Sequence, residues 1–192
     1  MARSKEFDRD VALARAIAVF SQHGFEGTST EALLVAMDIR RQSLYDTFGD
    51  KWKLYLEALE RYASDSIGAQ LVALESAADG KAGMTALLTH AVARALEDSQ
   101  PSCLGISAIC EFGRSSPEVV GLTDTMGRLL TRAVERRVRE AIDAGDFAAD
   151  LDVANAGQFV LATLTGIKVA ARAGASEAML AGIADMALRS FR

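Results

Sequence analysis

Apolar residues recur every three or four positions along most of this chain, and nowhere do they alternate one by one over the length of a strand. That pattern predicts helices and no sheet. The first helix, from about Asp8 to His23, gathers Leu13, Ala16, Ile17 and Phe20 on one face, and Gly24 follows it as a residue able to take positive φ. Two short helices come next. Thr30–Met37 buries Leu33, Leu34 and Ala36 or Met37, and Arg41–Phe48 turns Leu44 and Phe48 inward, four residues apart. Between them Asp38 and Ile39 reverse the chain, Asp38 tolerating left-handed backbone less well than glycine would. Thr28, Ser29 and Thr30 supply hydroxyls at the start of the second helix, and Thr28 with Glu31 has capping-box spacing. Three helices of these lengths, with a tight turn before the third, read as a helix-turn-helix head.

The remainder is also helical. A fourth helix from Lys51 to about Ala78 would be roughly 40 Å long, with Trp52 and Tyr55 beneath the head and Leu54, Leu59, Tyr62, Leu71 and Leu74 facing a larger body. Gly80 and Gly83 are expected to break the chain before a fifth helix built on Met84, Leu87, Leu88, Ala91, Val92 and Ala95. Pro101 is expected to open a short sixth helix that ends near Gly113. Ser116 then caps, and Pro117 starts, a seventh that stops before Gly145. Its Arg128, Arg132, Arg136, Arg137 and Arg139, interleaved with Glu135 and Glu140, read as a solvated face.

The last two helices, about Asp152–Ala173 and Ser176–Phe191, are apolar on more than one stripe. A helix apolar on two sides needs two partners, its own core and one other. A second copy of the same pair is the natural candidate, in a four-helix interface with close approach at Gly157 and Gly166. The residues expected there are Val153, Ala156, Gly157, Val160, Leu164, Ile167 and Ala171 from the eighth helix, and Leu180, Ile183, Ala184, Ala187 and Phe191 from the ninth. The fold class is therefore all-α. Residues 1–50 are expected to form the head, and residues 51–192 a helical dimerisation bundle.

Composition changes this picture in a few places. At 192 residues and 50% hydrophobic the chain can build a sizeable core. The longest uninterrupted apolar runs fall short of the roughly 20 residues of a membrane span, and the N-terminus lacks an apolar signal core, so a cytoplasmic protein with no membrane partner is expected. Cys103 and Cys110, seven apart on one helix, would be separated by roughly 10 Å in rise, beyond disulfide reach. With His23 and His90 they make no metal cluster of recognisable spacing, and no cofactor is expected. The net charge of −5 runs against a nucleic-acid footprint. Within residues 1–53, however, eight cations balance eight carboxylates, and Arg40, Arg41, Lys51 and Lys53 gather around the third helix.

That helix leaves Arg40, Arg41, Gln42, Ser43, Tyr45 and Thr47 for solvent or ligand. Arginine can fork to guanine and glutamine to adenine, while serine, threonine and tyrosine hydroxyls commonly bond phosphate. Lys51 stands at a helix start, where both its ammonium and the helix N-terminus attract phosphate. The run GFEGTSTEALLVAMDIRRQSLYDTFGDKWKLYLEAL, Gly24 to Leu59, resembles the N-terminal signature of the tetracycline-repressor (TetR) family of bacterial regulators. Its glycine–aromatic turn, TST, SLY–x–x–F and following lysine all fall at the family's spacing. The resemblance implies a homodimeric, non-enzymatic transcriptional regulator, a repressor whose heads bind a palindromic operator and whose C-terminal domain takes a small-molecule inducer. It implies DNA contacts at Ser29, Thr30, Arg40, Arg41, Gln42, Ser43, Tyr45, Thr47 and Lys51. Asp38 departs from the family's turn glycine, and Asp46 stands where histidine, arginine or an aromatic is common.

For the inducer, Tyr62, His90, Cys103, Phe112, Met126, Phe159 and Thr163 are candidate cavity residues, each weighed against plain core. Some family members carry a cysteine near the start of the corresponding short helix. A redox sensor acting through Cys103 is therefore an alternative, set against a buried small side chain with no cation beside it in sequence. A helical ligand-binding dimer that does not bind specific DNA is another. An enzyme finds no support, because there is no phosphate-cradling glycine loop, nucleophile elbow or carboxylate–histidine set.

Overall fold

The computed structural model describes residues 7–97 and 103–192. Among the described residues there are nine helices and no strand: α1 Arg9–His23, α2 Thr30–Met37, α3 Arg41–Phe48, α4 Lys51–Glu75, α5 Gly80–Glu97, α6 Leu104–Phe112, α7 Pro117–Asp143, α8 Val153–Arg172 and α9 Glu177–Arg189. The helical periodicity thus located every element, with shifted ends. Pro101, expected to open the sixth helix, lies outside the described residues, and α6 begins at Leu104 after Cys103. Gly80 and Gly83 do not break the chain but lie in the first turn of α5, where Asp79 accepts a hydrogen bond from Ala82 N at 2.8 Å. A Cβ on Gly80 would strike the backbone of Arg137 and Ala141, so the missing side chain is what lets α5 and α7 approach.

The chain falls into two compact units that a single cut after residue 50 does not separate. The first runs to Ser64 and takes in Cys103–Thr123; the second begins at Asp65 and resumes at Asp124–Arg192. In the first, Leu13, Ala16 and Phe20 of α1 pack with Leu33, Met37, Leu44, Phe48, Leu54, Tyr55, Leu59 and the α6 residues Leu104 and Ala108. In the second, Leu74, Met84, Leu87, Leu88, Leu130, Val134, Val138, Val160, Leu164, Ile167, Leu180 and Phe191 form one core.

Two surface expectations are corrected here. Arg137 is not part of the solvated arginine face: its side chain is only 9% exposed. Its guanidinium donates to the carbonyls of Glu75 and Ala77, at 3.1 and 3.0 Å, and pairs with Glu140 at 2.9 Å. The Glu75 carbonyl belongs to the last turn of α4, which has no intrahelical donor for it, and Ala77 follows just beyond the helix, so Arg137 works as a cap from a distant helix. The second correction concerns the pairing row. Ala156, Gly157, Val160, Leu164, Ile167, Leu180, Ala184, Ala187 and Phe191 are buried in the core of their own chain, with Val153 and Ala171 packed partly buried beside them. Gly157 gives α8 close approach to Glu135 and Thr131 of α7. Of the twelve expected there, only Ile183 is outward-facing, at 36% exposure. The period was read correctly, but the periodicity does not say which of two apolar stripes faces inward.

α8, although its apolar runs are interrupted, is at 20 residues long and apolar enough to cross a bilayer by length and composition alone. One face of it, at Ala156, Val160, Leu164 and Ile167, is occupied by the second unit's core.

Replacing Arg137 by alanine should lower stability by about 1–3 kcal/mol, because a buried guanidinium and its charge-assisted bonds to part-buried carbonyls are lost. Denaturant unfolding checks this, and a loss below about 0.5 kcal/mol, the surface-substitution range, would refute the capping role. His90, half-buried on α5, titrates below the ordinary histidine range, chiefly through burial and then through Arg94 and Lys168, with Glu97 opposing. As pH falls, the unfolded chain protonates first, so acidification through about pH 6.5 removes stability. The parent protein should therefore lose more thermal stability than His90→Gln between about pH 7 and about pH 5; parallel curves would exclude this.

Candidate nucleic-acid interface

The head is held from behind by one turn. Gly24 ends α1 at φ 71°, and the next two amides, of Phe25 and Glu26, donate to the Glu111 carboxylate at 2.8 and 3.2 Å. A side chain on Gly24 would meet both unfavourable φ and that carboxylate. Thr28, buried, donates its hydroxyl to Gly24 O at 2.5 Å and so is not the helix cap. The cap is Ser29, whose Oγ accepts from Ala32 N at 3.1 Å. Phe25 then packs edge-on to Trp52 and Tyr55, each with ring centroids 5.1 Å away, and tilts against Phe112 at 5.9 Å. The Tyr55 hydroxyl is buried without a partner. Desolvation first and the Glu111 charge second hold it well above the ordinary phenol range, so it stays neutral.

α2 closes with Asp38 in the left-handed region, φ 55° and ψ 48°, the one non-glycine residue with positive φ among those described. Its amide reaches back to the Leu34 and Val35 carbonyls, and Arg15 of α1 donates to Met37 O at 3.3 Å. The departure from glycine leaves the turn intact. α3 follows with Leu44 and Phe48 buried against α1.

The outward side of α3 carries Arg40, Arg41, Gln42 and Tyr45, all exposed, with Ser43 and Thr47 half-buried. Arg40 occupies the N-cap position without a side-chain cap bond, leaving its guanidinium outside the helix's own hydrogen bonding. Arg41 pairs with Glu31 of α2, whose carboxyl is held below its ordinary range by its own backbone hydrogen bond first and by Arg41 second. Gln42 donates Nε2 to Asp46 Oδ1 at 2.7 Å. Lys51 lies with Nζ 4.1 Å above the Phe25 ring, and Thr30 is half-buried at the first position of α2. The nine expected contact residues thus all belong to the first unit, along α3 or at the N-termini of α2 and α4. What the sequence did not reveal is their support: Glu111 lies 86 positions from Phe25, and Glu31 and Asp46 hold side chains expected to be free.

The candidate inducer residues divide between the units. Tyr62 and Phe112 pack against the first unit's core, and Cys103 precedes α6, half-buried. His90, Met126, Phe159 and Thr163 belong to the second unit, where the Thr163 hydroxyl is bonded to Phe159 O and Phe159 is 44% exposed. A cavity of about 410 Å³ in that unit is lined by other residues, Lys81, Thr85, Phe147, Asp185, Leu188, Arg189 and Arg192.

Residues 12–58 match the family model described as bacterial regulatory proteins of the tetR family, and residues 80–186 match a tetracyclin repressor-like C-terminal domain. The chain is 32% identical over 163 residues to the uncharacterized HTH-type transcriptional regulator YezE of Bacillus subtilis, covering 83% of this chain and 84% of that one. It is 28% identical over 191 residues to the HTH-type transcriptional repressor ComR of Escherichia coli, covering 97% and 90%. Among solved structures, the regulator CifR, as a cysteine mutant complexed with 26 bp double-strand operator DNA, superposes with a TM-score of 0.83 at 34% identity over 99% of this chain and 100% of that one. Matched at both ends by family models and along nearly its whole length by regulators, with a helix-turn-helix whose outer face is basic and polar, this chain belongs to the TetR family of DNA-binding transcriptional regulators.

Proposed function

We propose that the protein is a cytoplasmic repressor that binds a palindromic operator as a homodimer, α3 of each copy lying in one of two major grooves about 34 Å apart, and that a small-molecule inducer releases it. The observation that carries the DNA reading is the outer side of α3. Arg40, Arg41, Gln42 and Tyr45 stand exposed on a helix whose other side is locked in the core by Leu44 and Phe48. Ser29 and Lys51 flank it at helix N-termini, where anions are favoured.

Support for pairing comes from the stripe that the chain's own core does not use. On α8 and its C-cap, Phe159, Ala162, Gly166, Val169 and Ala173 are exposed at spacings of three and four. On α9, Met179, Ile183 and Met186 do the same, at 62, 36 and 65% exposure. Two adjacent helices each presenting such a row can meet the same pair from a second copy, with Gly166 open to close approach. This stripe replaces the buried row as the pairing surface. The inducer reading rests on the C-terminal family match, with His90, Met126, Phe159 and Thr163 the second-unit candidates. Release requires that the inducer bind the non-operator state better than the operator-bound one.

Selection of bound sites from a random duplex pool at two salt concentrations tests the function. The parent chain should enrich an inverted repeat, and Arg41→Ala should blur one position of it. Lys51→Ala should weaken all duplexes alike and reduce the salt slope by about 1. No enrichment from a folded dimer would leave a ligand-binding dimer without specific DNA binding. Met186→Asp, at an exposed site, should turn a dimer into a monomer in light scattering without lowering helix content; an unchanged mass would exclude this stripe.

A further inference from the structure

We infer that Asp46 is a positioning residue for sequence readout: its carboxylate orients the Gln42 amide so that α3 presents an adenine-matching edge. The inference rests on α3 being the DNA-facing helix and adds what sets its choice of base. Gln42 is in the first turn of α3, the part of a recognition helix that reaches base edges, and Asp46 lies one turn further on the same side. The Gln42 Nε2 to Asp46 Oδ1 distance of 2.7 Å is that of a strong, charge-assisted hydrogen bond.

A glutamine amide can present itself in two ways, related by exchange of its oxygen and nitrogen. An ionised aspartate only accepts, so turning the amide over would set Oε1 against a carboxylate oxygen, two acceptors facing each other. Asp46 therefore fixes the nitrogen toward itself. Oε1 and the second amide hydrogen remain for a ligand, one acceptor and one donor. Adenine offers the complement in the major groove, an N6 donor beside the N7 acceptor, whereas guanine offers two acceptors, N7 and O6. Asp46 also carries a negative charge toward a polyanion, which lowers affinity for every duplex alike. A carboxylate at this place thus exchanges general affinity for discrimination at one base pair.

The test is site selection from a random duplex pool with the full chain in four forms: parent, Gln42→Ala, Asp46→Ala and the double variant. Thermal melts of each separate folding from reading, since an ordinary helix pair of this spacing would move only the melt. The parent should prefer adenine at one position of each half-site by roughly tenfold, the discrimination of one bidentate contact. Each single variant should flatten that same position, and the double variant should flatten it no further. The inference is overturned if Asp46→Ala keeps the adenine preference while binding all duplexes more tightly, which would make Asp46 a repelling charge alone. It is also overturned if Asp46→Ala changes a different position, such as a cytosine read directly. A parent chain that enriches no site at all would defeat the DNA reading itself, a result distinct from both.

Discussion

The helix-turn-helix head depends on one carboxylate that holds two successive backbone amides. At the end of α1 the chain turns at Gly24 to start toward α2, leaving the amides of Phe25 and Glu26 outside the helix's own hydrogen bonding. Glu111 of α6 accepts both. Fixing the turn fixes Phe25, around which Trp52, Tyr55 and Phe112 pack, and sets the Phe25 ring under Lys51. It also brings Thr28 into its bond with Gly24 O, so that Ser29 is the residue left to cap α2. The placement of both helix N-termini beside the reading face thus runs through one carboxylate on a helix outside the head's own sequence. With Leu104, Ala108 and Val119 in the same core, that carboxylate joins Cys103–Thr123 to the first compact unit.

Much of this was legible in the residue order. Leu33, Met37, Leu44 and Phe48 lie at spacings only a helix can bury on one side, and Asp38 takes the left-handed turn expected of it. The sequence was less informative wherever a side chain's partner is distant or a pattern is symmetric. Arg137 sits in an alternating charged run that looks solvated, and nothing near it in sequence announces that the end of α4 needs its donors. The α8 and α9 stripes are both apolar. Which one faces inward is decided by the fit against α5 and α7, as at Gly157, and not by hydrophobicity. Glu31 was read as a capping-box partner of Thr28 and Asp46 as a departure from the family pattern, because a side-chain pair four or ten residues apart is recognised only when the rotamers are seen.

Those pairs give the head its electrostatic character. Each of two groups suited to base recognition, Arg41 and Gln42, has a carboxylate as neighbour, and the Lys51 ammonium sits over an aromatic face. Each therefore has a preferred partner within the head. The chain has arranged for its polar contacts to be ordered before any duplex arrives, and such preorganisation favours selectivity more than raw attraction.

The equality of eight cations and eight carboxylates in residues 1–53 then bears on how a scarce target is found in a long genome. Sequence-independent attachment grows with the number of phosphates neutralised, and a cell contains vastly more wrong sites than right ones. A strongly cationic head would spend most of its time parked on irrelevant DNA. A neutral one leaves more copies in free solution, so that a modest number of molecules can hold a single operator occupied.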